Sequence, residues 1–200
     1  MKSYLVILPN YTHCKYLFLC YWVILLVSYS NFFRTPNAVL SAAGCLSDAI
    51  TLNKVLQAHV TKYQRTQGVD MSAPALAQLL SVTLYYRRFF PYYAFCMVGG
   101  VDEEGKGAVY GYDAVGSFKR DDYGCMGSGQ NFIMPLLDNL IGHKNRLDEK
   151  RVLSAEEVVS IVKELFIVAT ERDIHTGDAV EIKVIRKEGI TTEIFQLKKD

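Results

Sequence analysis

Leu46, Ala49, Leu52, Leu56, Val60 and Tyr63 recur at steps of three and four, the spacing of one helix face, and predict a helix from about Cys45 to Arg65. Gln67-Gly68 stops it. A second stripe, Leu76, Leu79, Leu80, Thr83 and Leu84, follows Ser72 and Pro74. The serine hydroxyl can accept from free first-turn amides, and proline at the first turn has no useful donor to lose. Pro91 ends this helix. A third opens after Gly127-Ser128-Gly129 and runs through Phe132, Ile133, Leu136, Leu137 and Leu140, with Pro135 predicting a kink or a late start. The fourth begins at Ser154 and Glu157, a capping box in which each side chain satisfies the other's backbone amide. Its apolar face is Val158, Ile161, Val162, Leu165, Phe166 and Ala169.

Between these helices the pattern is that of strands. "AVLSAA" (Ala38 to Ala43) reads as a short buried strand ending at Gly44. "YYAFCMVGGVD" meets "GAVYGYDAVG" across the turn "EEGKG", and "FKRDDYGCMG" follows, with Gly and Asp supplying bends. The chain closes on a hairpin, "AVEIKVIRKEGITTEIFQL", turning near Lys187-Glu188-Gly189. From Ala38 the order is strand, two helices, three strands, two helices, two strands. Strands in blocks between helix pairs predict an α+β fold of antiparallel sheets with helices on their outer faces, and argue against alternating βαβ units.

The first 34 residues fit neither pattern. Tyr16 to Phe33 runs for eighteen residues without a charge, the lower edge of what spans a hydrocarbon core of ~30 Å. Lys15 and Arg34 flank it without the asymmetry that would orient a span. A signal sequence fits poorly, because Lys15 interrupts the chain before the strongest apolar run and no small-x-small cleavage site precedes Asn31. A membrane segment stays open on these residues alone. All 21 acidic residues lie from Asp48 onward, and no polybasic stripe suggests nucleic acid as a partner. Five cysteines without framework spacing argue against a disulfide-stapled module. His13-Cys14 with Cys20 is the nearest approach to a metal-ligand cluster and lacks ligand-pair spacing, so neither metal nor cofactor is expected.

Three segments could carry chemistry. In "GCMGSGQNF", Ser128 sits between glycines where a helix begins, a place suited to an anion or a substrate backbone, or simply a glycine turn with Ser128 as helix cap. In "ERDIHTGD", Arg172 and Asp173 can pair at a helix end and Thr176-Gly177-Asp178 is a tight turn. His175 invites a Ser128-His175-Asp173 triad, but no nucleophile-elbow pattern surrounds the serine. Tyr85-Tyr86-Arg87-Arg88-Phe89-Phe90 has the residue types of a protein contact more than of a nucleic-acid platform.

Taken together, "SAAGCLSD", "LLSVTLYYRRFFPYYAFCMVGGVDEEGKGAVYGYDAVGSF", "GSGQ" and "ATERDIHTGD" resemble the beta subunits of the proteasome core particle, most closely the eukaryotic beta type-1 branch, over roughly Asn37 to Asp200. The resemblance implies a four-layer αββα sandwich of two antiparallel sheets, the N-terminal nucleophile hydrolase fold. It divides the chain into an atypical hydrophobic segment, 1–36, and a proteasome beta-type domain, 37–200. In active members a processed amino-terminal threonine is nucleophile and base, assisted by an aspartate and a lysine on the first strands. Here the "AVLSAA" strand is preceded only by the greasy segment, without a Gly-Thr cleavage pair, and neither Thr12 nor Thr35 has the expected context.

The resemblance therefore implies a domain missing its first strands, with the inner sheet edges beside "AVLSAA" left open and apolar, and a replaced amino terminus in their place. Ser128, Asp173 and Thr176 stand at positions that support the active-site threonine in catalytic members, here without a nucleophile. The implied role is a non-catalytic structural subunit of a seven-membered beta ring, stacked on a second beta ring and on alpha rings. Such rings enclose the chamber for ubiquitin-dependent and other protein degradation, in cytoplasm and nucleus. A threonine-type endopeptidase subunit and a membrane-anchored protein remain the alternatives.

Overall fold

A computed structural model describes residues 4–9, 22–27, 35–186 and 188–198. The helices are α1 (Leu46–Gln67), α2 (Ala73–Tyr85), α3 (Gln130–Leu140) and α4 (Ala155–Arg172). The strands are β1 (Tyr4–Pro9), β2 (Trp22–Val27), β3 (Ala38–Gly44), β4 (Ala94–Val101), β5 (Gly107–Tyr112), β6 (Phe118–Asp121), β7 (Gly124–Met126), β8 (Ala179–Arg186) and β9 (Gly189–Gln196). They form a four-stranded sheet, β3-β4-β5-β6, and a five-stranded sheet, β7-β1-β2-β8-β9, antiparallel throughout.

Alternation along the strands stacks these layers. In β3 to β5, Ala38, Leu40, Cys96, Val98, Tyr110 and Tyr112 face α1 and α2, meeting Leu52, Leu56, Leu76, Leu80 and Leu84. The opposite residues, Val39, Met97 and Val109, meet Ile185 of β8 between the sheets. On the far side Val180 and Ile182 pack under Ile133, Leu137, Val162, Leu165 and Phe166 of α3 and α4. The result is the expected αββα order of layers, because a period of two gives each strand one face for helices and one for the other sheet.

Several local expectations hold. The capping box of α4 is formed: the Glu157 amide donates to Ser154 Oγ at 3.2 Å and the Ser154 amide to Glu157 Oε2 at 2.8 Å. α3 opens at Gln130, directly after Gly129, and carries Pro135 in its interior, so the late start that this proline also allowed is not taken. Others are corrected. Ser72 holds the N-cap position of α2 without a side-chain capping bond. The run "FKRDDYGCMG" is two strands in different sheets, the chain crossing at Asp122-Tyr123. Ser128 is not a helix cap; Gly129 takes that position.

The largest correction concerns the first strands. β1 and β2 lie inside the five-stranded sheet, with Leu5 opposite Met126 and Ile24 opposite Lys183, so β7 and β8 are not left unpaired. Apolar runs six residues long satisfy their backbone groups by joining an available sheet edge, whichever sequence supplies them. Six of the eighteen uncharged residues are thus a strand, and the rest of that run lies outside the described residues, as does His13-Cys14 with Cys20. Among the described residues no helix is long and apolar enough to cross a membrane.

Candidate functional site

The chain leaves the four-stranded sheet at β6, runs through β7 and turns at Gly127, whose φ of 126° only glycine adopts readily. This turn delivers Ser128 to the C-terminal end of α4. Ser128 Oγ donates to Asp173 Oδ2 at 2.9 Å, and Thr176 Oγ1 donates to the same oxygen at 2.7 Å. The backbone amide of His175 donates to Asp173 Oδ1 at 3.1 Å. Asp173 is 8% exposed and Thr176 1%, whereas Ser128 faces solvent. The carboxylate is therefore an organising acceptor: three donors from two segments close on it, and a buried anion is tolerated only when satisfied in this way.

Ser128, Asp173 and Thr176 are brought together as a hydrogen-bonded group. His175 is not inserted between serine and aspartate, as a catalytic triad would require, and among the described residues no hydrogen bond joins its ring to either. A short loop before Thr176 aims the His175 amide at the carboxylate and sends its ring outward. Asp173 is also the C-cap residue of α4, but through its backbone, whose N–H donates to the Ala169 carbonyl at 2.9 Å.

A cavity of about 450 Å³ opens beside the group, lined by Ala43, Gly44, Tyr93, Phe95, Met126, Ser128, Gln130 and His175. Its opposite wall explains the "SAAGCLSD" motif. Cys45 N–H donates to the Tyr93 carbonyl at 2.7 Å, and Asp48 Oδ2 accepts from the Tyr93 amide at 2.9 Å. Gly44, at φ 121°, lies so close to the Tyr93 carbonyl that a Cβ would overlap it. The start of α1 is thereby clamped to the start of β4, and Tyr93 and Phe95, ring edge against ring face at 5.5 Å, complete that wall.

Thr35 is not in this cavity. It is buried, its hydroxyl oxygen accepts from the Ala38 amide at 2.9 Å, and its own backbone N–H donates to Ala38 O at 2.9 Å. Tyr93, Phe95 and the buried Lys183 were not singled out by sequence. Lys183 is 6% exposed and pairs with Glu181 at 3.2 Å on the face of β8 that looks toward the other sheet. Period two along "AVEIKVIR" places Glu181, Lys183 and Ile185 on one face, and this was the available signal. Cys96 and Cys125 are buried, which pushes both thiols up to about 12. Cys45 is lowered, first by the Ser47 hydroxyl and then by backbone amides at the helix start. Among the described residues no group of His, Cys, Asp and Glu could hold a metal ion.

The sequence model of the family described as "Proteasome subunit" matches residues 32–185. The chain is 51% identical over 169 residues to "Proteasome subunit beta type-1" of Arabidopsis thaliana, covering 82% of this chain and 76% of that protein. It is 47% identical to "Proteasome subunit beta type-1-B" of Carassius auratus, covering 83% and 70%. It is 45% identical to "Proteasome subunit beta type-1" of Dictyostelium discoideum, covering 86% and 74%.

Proposed function

The chain belongs to the proteasome subunit family, and on that premise we propose that it is a non-catalytic structural subunit of the core particle's beta ring. Residues 37–200 are its proteasome beta-type domain and residues 1–36 an atypical leading segment. It occupies one place in a seven-membered beta ring, stacked on a second beta ring and on alpha rings, and helps enclose the chamber in which proteins, including ubiquitin-marked ones, are degraded. It works in the cytoplasm and nucleus. Its contacts with neighbouring beta and alpha subunits fall on helices and on Tyr85 to Phe90.

One observation carries the non-catalytic reading. The strands that fill the sheet between β7 and β8 are "YLVILP" and "WVILLV", with no threonine, aspartate or lysine in either. An activated nucleophile needs its partner group within hydrogen-bond reach, and these strands supply neither. Thr35, the nearest threonine before β3, is buried, bonded to Ala38, and does not line the cavity beside Ser128. Ser128, Asp173 and Thr176 are then a support group retained without a nucleophile. The test is labelling of core particles containing a tagged copy of this chain with a threonine-directed vinyl sulfone probe. The expected result is no label on this chain; a label at its amino terminus or on Thr12 would establish the endopeptidase reading instead.

A further inference from the structure

Away from the cavity, the surface least like that of a solitary protein is the turn after α2. Tyr86, Phe89 and Phe90 leave 89%, 93% and 83% of their area in solvent, and Tyr85 leaves 58%. At about 200 Å² per ring these four expose on the order of 600 Å². A monomer's largest apolar patch is ~300–600 Å², and one partner's share of a standard interface is ~800 Å². The turn is also rigid. The amides of Arg87, Arg88 and Phe90 donate to the carbonyls of Leu84, Tyr85 and Arg87 at 3.0, 3.0 and 2.9 Å, and buried Leu84 and Tyr92 hold it at either side. Rings displayed on a fixed backbone lose little conformational freedom on binding.

Charge identifies what would sit there. Between Asp70 and Asp102 the chain has no acidic residue, and its only charged side chains are Arg87 and Arg88. Among the described residues neither has a carboxylate partner. Arg87 lies over the Tyr92 ring at 5.4 Å, and Arg88 over Phe89 at 5.2 Å and Tyr85 at 6.0 Å. A guanidinium laid on an aromatic face keeps its in-plane N–H groups available to fork a carboxylate. Two cations in so long a stretch make a small footprint for a polyphosphate backbone, whose binding grows with the number of phosphates neutralised.

We propose that this platform seats a segment of a neighbouring subunit in which Asp or Glu, flanked by apolar residues, is forked by Arg87 and Arg88 while the apolar residues cover Phe89 and Phe90. The inference rests on the chain being a ring subunit. It is tested with the full chain carrying Phe90→p-benzoylphenylalanine, co-expressed with the other subunits, irradiated in purified core particles and mapped by mass spectrometry. Cross-links are expected in one subunit, on a segment with an acidic residue beside the labelled one. Arg87→Glu with Arg88→Glu is expected to lower incorporation of the tagged chain about tenfold, with its melting temperature unchanged and with Arg→Lys at both sites milder. Cross-links to a segment without Asp or Glu, cross-links to nucleic acid, or unchanged incorporation of the doubly reversed chain would each overturn it. Failure of the unsubstituted chain to enter core particles would instead remove the ring-subunit reading on which it rests.

Discussion

Asp173 shows how one side chain can organise two distant segments. It takes donors from Ser128, 45 residues away, and from Thr176 and His175 beside it, so its removal strands two hydroxyls and an amide together. Asp173→Ala is expected to cost about 3 kcal/mol of stability and Ser128→Ala about 1 kcal/mol. Urea titrations of the two variants check this, and equal losses would show that the carboxylate is not the shared acceptor. Thiol reactivity should be equally uneven. The Cys45 thiol is lowered and accessible, while burial pushes Cys96 and Cys125 up to about 12. Iodoacetamide at neutral pH is therefore expected to modify Cys45 well before the other two, read by peptide mass spectrometry; comparable rates would mean the core opens on that timescale.

Among the elements, α4 responds most predictably to pH. The Ser154 amide first, and Arg151 second, hold the Glu157 carboxyl below its usual 4.5. A carboxyl depressed in the folded state stabilises above its unfolded value, and that contribution disappears as pH falls through the folded one. The first turn of α4 is therefore expected to lose amide protection, taken relative to the intrinsic exchange rate at each pH, below about pH 4.5. Glu157→Gln should remove that pH dependence, and hydrogen exchange at Glu157 and Val158 measures both. This helix was legible in the sequence because cap and stripe are local signals. Ser128 was not legible from local pattern, since its bond is to a residue 45 positions on and Gly129 takes the capping position; only the family resemblance grouped it with Asp173. Nor was the three-residue β7 legible, whose partner is an amino-terminal strand with no pattern of its own. In β2 a stretch of the uncharged apolar run fits strand and membrane span equally well by pattern, and pairing with β8 is what makes these six residues a strand.

For the whole molecule, the amino-terminal strands make the difference between one continuous sheet and two fragments. Deleting residues 1–34 would leave β7, and β8 with its hairpin partner, facing an empty lane where β1 and β2 run. That variant is expected to aggregate on expression while the full chain stays in the soluble fraction, compared by centrifugation and light scattering. Equal solubility of both would mean that the lane does not need these strands. The crossing at Asp122-Tyr123 adds something the layer diagram hides. The Tyr123 hydroxyl bonds to Asp138 of α3, and Lys144 Nζ reaches the same carboxylate at 2.7 Å. This crossing between the sheets is thus riveted to the outer helix layer, and its two residues leave almost no slack between β6 and β7.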